Sequence, residues 1–193
     1  MFYEPKNGHG LPHNPLTAIV APRPIGWISS RGAKGDNLAP YSFFNAVAYD
    51  PPQVMFASTG AKNSISNVRD TGVFAVNMVE ASQVHAMSAT SASLPLGTDE
   101  FEHAGLNKAE CAVIDCPYVA GAPAVLECRL WKVIDLPGAA NFMAIGEVVG
   151  VHLRDDCMQD GRFDWGFGVV ARMGYQDYTF PDRYVTLERP TGR

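Results

Sequence analysis

The chain has 193 residues, 47% hydrophobic and 18% charged, with a formal net charge of −5. That length fits one domain over 1–193, with a core at about 14–180, and the hydrophobic share excludes a disordered chain. Scattered Lys and Arg under a negative balance exclude nucleic acid as a partner. No run of roughly 18 apolar residues suits a membrane span. Met1 to Asn14 lacks the apolar stretch of a secretory signal, so the expected compartment is the cytoplasm.

The first third reads as short β segments punctuated by Pro and Gly. Leu16 to Val20 is one apolar run, ended by Pro22 and Pro24, and Ile25 to Ser30 is a second. After a turn over Arg31 to Asp36, an aromatic-rich run covers Asn37 to Ala48, and Val54 to Ser58 follows Asp50-Pro51-Pro52. Asn63 or Ser64 can cap a helix whose face carries Ile65 and Val68 and whose end suits Gly72. Val73 to Val79 reads as a buried strand, and small helices and loops are expected from Ala81 to about Leu106. Ala124 to Ile134 alternates Leu126, Cys128 and Leu130 with Glu127 and Arg129, as a half-buried strand does. Its expected partner is Phe142 to Leu153, joined through Pro137-Gly138. A last strand is expected around Tyr184 to Leu187. Many short strands at such intervals predict a mainly β barrel or sandwich.

Four segments carry residues suited to chemistry. In Ser58 to Asn67 a strand ends at hydroxyls, turns at Gly60, presents Lys62 and opens a helix. Unpaired N–H groups and the positive dipole end at a helix N-terminus, beside a lysine, suit a phosphate. The same residues also describe an ordinary capped helix with a solvated lysine. Asn37-Leu38-Ala39-Pro40-Tyr41-Ser42 can lay backbone N–H and C=O groups along a planar ring, or be a core strand. Trp27, near Ser29, can flank a flat cofactor or belong to the core. His152 shares, by period-2 parity, a face with Phe142, Ala144 and Val148; it can touch a ligand or bond a loop.

Several chemistries find no support. The other histidines, His9, His13, His85 and His103, have no ligand-like spacing. The cysteines Cys111, Cys116, Cys128 and Cys157 include no C-x-x-C pair, and are read as reduced structural thiols rather than a metal site. Hydrolase, P-loop and G-x-G-x-x-G patterns are missing, so no separate dinucleotide domain is expected.

Taken together, these segments resemble the flavin-reductase-like family of FMN-binding split β-barrel flavoproteins, which includes flavoredoxins. The resemblance rests on Arg23 to Ser30, Asn37 to Phe44, Asp50-Pro51-Pro52, Lys62-Asn63-Ser64 with Asn67, Phe74 to Asn77, and Gly146 to His152, in register over about residues 14 to 180. It implies a split antiparallel barrel of Greek-key type with a few peripheral helices. The segment Asn37 to Ser42 would run beside the isoalloxazine, its backbone bonding the pyrimidine edge. Ser58, Thr59, Lys62 and Ser64 would hold the phosphate. Trp27 and Ser29 would border the ring or ribityl chain, and His152 would lie near flavin and nicotinamide. The family's Lys-Asp-Thr-like pattern reads Lys62-Asn63-Ser64 here.

The resemblance further implies a homodimer, with interface or cofactor contacts from Trp165, Phe167, Arg172, Tyr175 and Tyr178. FMN is expected ahead of FAD, because no second site for an adenine shows in the sequence. The expected activity is reduction of bound flavin by NAD(P)H, with electrons passed to free flavin, a small molecule or a protein. Amide donors from Asn37 to Ser42 would stabilise the charge that builds at the ring edge. The alternatives are an electron carrier without a nicotinamide site and a non-catalytic flavin-binding module. No catalytic acid, nucleophile or metal is expected.

Overall fold

Seven antiparallel strands form the main sheet of this computed structural model, which describes residues 1–95 and 97–190 apart from the Trp165 side chain. Numbered in chain order they are β1 Gly26–Gly32, β2 Gly35–Tyr41, β3 Phe44–Tyr49, β4 Pro52–Thr59, β5 Val73–Asn77, β6 Ala124–Leu136 and β7 Asn141–Leu153. Their order across the sheet is β2-β1-β5-β6-β7-β4-β3. Thus β2 and β3 are the two outer edges, yet only Ser42 and Phe43 separate them in the chain. A fully extended link from Tyr41 to Phe44 reaches about 11 Å at most. A seven-stranded sheet whose edges lie that close is rolled up, its seam crossed by the chain instead of a hydrogen-bonded ladder. This is a split barrel, mainly β with a few short helices. The run expected over Asn37 to Ala48 is therefore two edge strands, broken where the chain crosses the seam.

Both faces of the central strands are covered. Ile28, Phe56, Phe74, Val76, Cys128 and Ala144 pack in one cluster with Ile65 and Val68 of helix α1, Asn63–Thr71. Trp27, Leu38, Ala75 and Val125 face the other way, against Met87, Phe101, Ile114, Cys116 and Val119. Successive residues such as Trp27 and Ile28, or Phe74 and Ala75, belong to different clusters, so these strands read as continuous apolar runs. Gly72, at φ 74°, ends α1 in the left-handed conformation expected of it.

Elsewhere the pattern reading meets local physics. Leu16–Ile19 is a short helix, not a strand: Pro15 precedes it, and the Arg23 guanidinium donates to the carbonyls of Thr17 and Val20. Tyr184 to Leu187 forms no strand; these side chains are exposed, and the last strands are Ala171–Gly174 and Asp177–Thr179. The hairpin of β6 and β7 forms as expected, but its register shifts between Val148 and Gly150. That bulge reverses the alternation. Val148 pairs with Cys128 on one face, while His152 pairs with Val125 on the other. His152 therefore does not share the face of Phe142, Ala144 and Val148. Among the described residues no helix is long and apolar enough to cross a membrane.

Candidate functional site

The turn after β4 and the polar-aromatic strand β2 meet in one cleft of about 290 Å³. Asn37, Ala39, Pro40 and Tyr41 form one wall, and Lys62, Asn63 and Ser64 form another. A third consists of Thr90 to Leu94 with Glu100. The first two walls are tied together, since buried Asn37 Nδ2 donates to Ser64 Oγ at 2.9 Å. Helix α1 is held close to β1 because Gly32 has no side chain; a Cβ there would stand 2.1 Å from Asn67 Oδ1. Asn67 Nδ2 donates to Ser30 Oγ at 3.2 Å across the same contact.

The helix end in this cleft is open. Lys62 occupies the position before the first turn and makes no side-chain cap, so neither Asn63 nor Ser64 caps α1 as the sequence suggested. The Lys62 side chain is exposed at the rim, while the Ser64 hydroxyl is buried within. Tyr41 adds a hydroxyl that is sealed from solvent beside the Ser64 and Ser58 hydroxyls. Burial raises its pKa, opposed by the nearby Ser64 and Ser58 hydroxyls. An uncapped helix start and an ammonium at one cleft are donors of the kind an anion takes.

These positions fall within a domain pattern: the flavin reductase like domain matches residues 20–177. The chain belongs to the flavin-reductase-like family. An uncharacterized protein of Deinococcus radiodurans is 38% identical over 173 residues, covering 82% of this chain and 75% of the relative. Nitrilotriacetate monooxygenase component B from Bacillus cereus superposes with a TM-score of 0.86 at 30% identity, covering 93% of this chain and 100% of that one. The 2-nitrobenzoate 2-nitroreductase NbaA of Pseudomonas fluorescens gives 0.82 at 30% identity, covering 91% and 89%.

The remaining residues singled out in the sequence lie outside this flavin-reductase-like cleft. Thr59 and Ser58 line a neighbouring hollow of about 270 Å³ with Phe43, Asn141 and Phe142; Ser58 Oγ donates to the Gly60 carbonyl at 3.1 Å. Ser42 lies half-buried at the seam. Trp27 is wholly buried and acts from behind: its Nε1 donates to Thr90 Oγ1 at 2.9 Å, which steadies the third wall. Ser29 is also buried, accepting from Asn77 Nδ2 at 3.0 Å. His152 sits apart. Its Nε2 lies 2.5 Å from Glu127 Oε1, and its ring packs on Tyr118 at 4.9 Å between centroids.

The strand edge differs from a row of donors. The Leu38 N–H points away from β1 to Glu100 Oε2 at 3.1 Å. Alternate residues of an antiparallel edge face the same way, and the next one, Pro40, has no N–H. The outward edge of β2 thus offers the cleft no free amide at Leu38 or Pro40, the first being committed to Glu100 and the second lacking a hydrogen. Glu100 and the Thr90 to Leu94 wall were missed in the sequence. The only sign was a run of small polar residues, Thr90-Ser91-Ala92-Ser93, in a segment of weak periodicity. Burial raises the pKa of Glu100, opposed by the Leu38 amide.

Proposed function

We propose that this chain is an FMN-binding oxidoreductase that takes electrons from NAD(P)H and passes them to free flavin or another acceptor. The observation that carries the reading is the shared cleft: a lysine-bearing helix start and the polar-aromatic strand open onto the same space. The residues fit FMN. The phosphate suits the α1 N-terminus and Lys62, and the ring imide N–H suits the Pro40 carbonyl. Bound FMN would supply the hydride-accepting chemistry, which side chains do not perform. The protein's share is position and charge: Lys62 balances the phosphate, the Thr90 wall excludes water, and Glu100 can hold a proton on the oxygen not engaged by Leu38.

The direct test is the spectrum of the purified protein and mass identification of any released flavin, followed by stopped-flow mixing with NADH and NADPH. We expect a yellow protein containing FMN whose flavin band bleaches with one donor. A colourless protein that fails to bind added FMN overturns the cofactor. A yellow protein that no nicotinamide bleaches favours a carrier reduced by another redox protein. One observation supports that second reading: His152, the residue expected beside nicotinamide, is committed to Glu127.

A homodimer in the cytoplasm completes the proposal. Edge strand β3 leaves Tyr49 exposed beside Val151 of β7, and an open apolar edge of this kind favours pairing with a second copy. Light scattering after size exclusion checks the mass; a monomer at micromolar concentration rejects it.

A further inference from the structure

Behind the sheet, the strands Lys108–Glu110 and Pro117–Val119 form a small hairpin with Lys108 opposite Val119, Ala109 opposite Tyr118 and Glu110 opposite Pro117. The next rung places Cys111 opposite Cys116. The Cys111 N–H donates to the Cys116 carbonyl at 3.0 Å, and the Cys111 side chain packs against the buried cluster that contains Cys116. Facing residues of a hydrogen-bonded antiparallel rung have Cα atoms about 5.5 Å apart, inside the range of 4.4–6.8 Å that a disulfide spans. We propose that Cys111 and Cys116 are a reversible dithiol–disulfide site, oxidised by hydrogen peroxide.

The site is asymmetric in the way such a couple requires. Cys111 is half-buried and reachable from solvent, whereas Cys116 is wholly buried behind it. Peroxide meets Cys111 first. Its thiolate attacks one peroxide oxygen, the O–O bond breaks, and Cys111 becomes a sulfenic acid as water leaves. Cys116 then attacks the Cys111 sulfur; the S–S bond forms, the S–O bond breaks and a second water leaves. Two thiols and one peroxide give one disulfide and two waters, the thiols losing two electrons and the peroxide gaining them.

The loop between the cysteines is already fixed. The amides of Ala112, Val113 and Ile114 donate to Glu127 at 2.7, 2.7 and 3.0 Å. Closure therefore needs side-chain rotation, at the cost of the Cys116 thiol's contacts with the Ser29 and Pro117 carbonyls, both at 3.4 Å. The neighbouring Cys116 thiol, burial and the nearby Glu127 and Glu110 carboxylates all push the Cys111 thiol up from its ordinary value. A thiol held protonated in this way responds slowly, to sustained peroxide and not to traces. Dioxygen reoxidising a reduced flavin produces peroxide, so the source rests on the function proposed above. The pair's chemistry does not, and the test supplies peroxide directly.

The experiment treats the full-length protein with hydrogen peroxide, alkylates it in denaturant and digests it with a protease cutting after Glu and Asp. Cleavage after Asp115 separates the two cysteines, and cleavage after Glu127 separates both from Cys128. The expected product is the fragment ending at Asp115 joined to the fragment beginning at Cys116, lighter by two hydrogens and parted by dithiothreitol. In Cys111→Ser the joined product disappears and Cys116 is alkylated. Full alkylation of both cysteines after peroxide, sulfinic acid on Cys111 with Cys116 free, or linkage to Cys128 or Cys157 would each overturn the assignment.

Discussion

Two buried carboxylates, one within strand β6 and one beside the β2 edge, have opposite fates. Glu127 in β6 is wholly buried, but it accepts three loop amides and faces His152 Nε2. Burial alone would raise its pKa; the Ala112 amide, His152 and the Val113 and Ile114 amides outweigh that and bring it below the ordinary carboxylate value of about 4.5. Glu100 at the cleft accepts the Leu38 amide, and there burial prevails, with the pKa raised above about 4.5. The number of donors decides in which direction each buried acid is shifted. One carboxylate staples a loop, while the other, at the cleft wall, holds its proton more tightly than a free carboxylate does.

The largest effect should come from breaking the staple. Glu127→Ala leaves three amides without their charged acceptor, that of Ile114 in a buried position, and should cost about 3–5 kcal/mol in urea unfolding. That is a large share of the ~5–15 kcal/mol typical of a domain. A loss under about 1 kcal/mol would mean that the loop finds other partners and that the contrast is unsound. The cleft side should show itself in ligand affinity instead. Lys62→Ala should weaken FMN binding by about 1.5–3 kcal/mol in a fluorescence titration, leaving the unfolding midpoint unchanged. Equal affinity would make the lysine mere surface.

Thr90→Val removes the acceptor of the buried Trp27 N–H, and should lower stability by about 1–3 kcal/mol. A shift in FMN affinity in the same variant would show that the wall it steadies is part of the site. The smallest change is Glu100→Gln, which keeps an oxygen for Leu38 and should alter stability at neutral pH by less than about 1 kcal/mol. Its signature is the pH slope. Glu127, depressed when folded, contributes stability above about pH 4.5 that is lost as pH falls through its lower folded value. Glu100 works in the opposite sense: the fold holds its proton more tightly than the unfolded chain, so stability falls as pH rises from about 4.5 through its raised folded value. Urea midpoints of wild type and Glu100→Gln should therefore diverge as pH rises from acid to neutral; parallel curves would contradict a raised Glu100.

The hairpin of β6 and β7, helix α1 with its Gly72 end and the short strands β1 and β4 were legible because each follows from a local period or stop signal. Glu127 was not. Alternation assigned it to the solvated face of a half-buried strand, and nothing local announces a loop from residues 112–114 covering that face. His152 was misplaced because one extra residue at the Val148–Gly150 bulge inverts the period. The strand Asn37 to Tyr41 and the Lys62 turn were legible as separate segments, whereas Glu100 and Thr90 to Leu94 have no recurring spacing to betray them.

By itself the sequence determined a mainly β domain with a lysine-bearing helix start and a polar-aromatic strand, since hydrophobic period, glycine and capping chemistry act over a few residues. Only the tertiary structure decided that β2 and β3 are opposite edges of one rolled sheet, that the turn and the strand share a cleft, and in which direction the pKa of each buried acid moves. Those outcomes depend on contacts between segments tens of residues apart, where the donors around a carboxylate are counted by packing and not by neighbours in the chain.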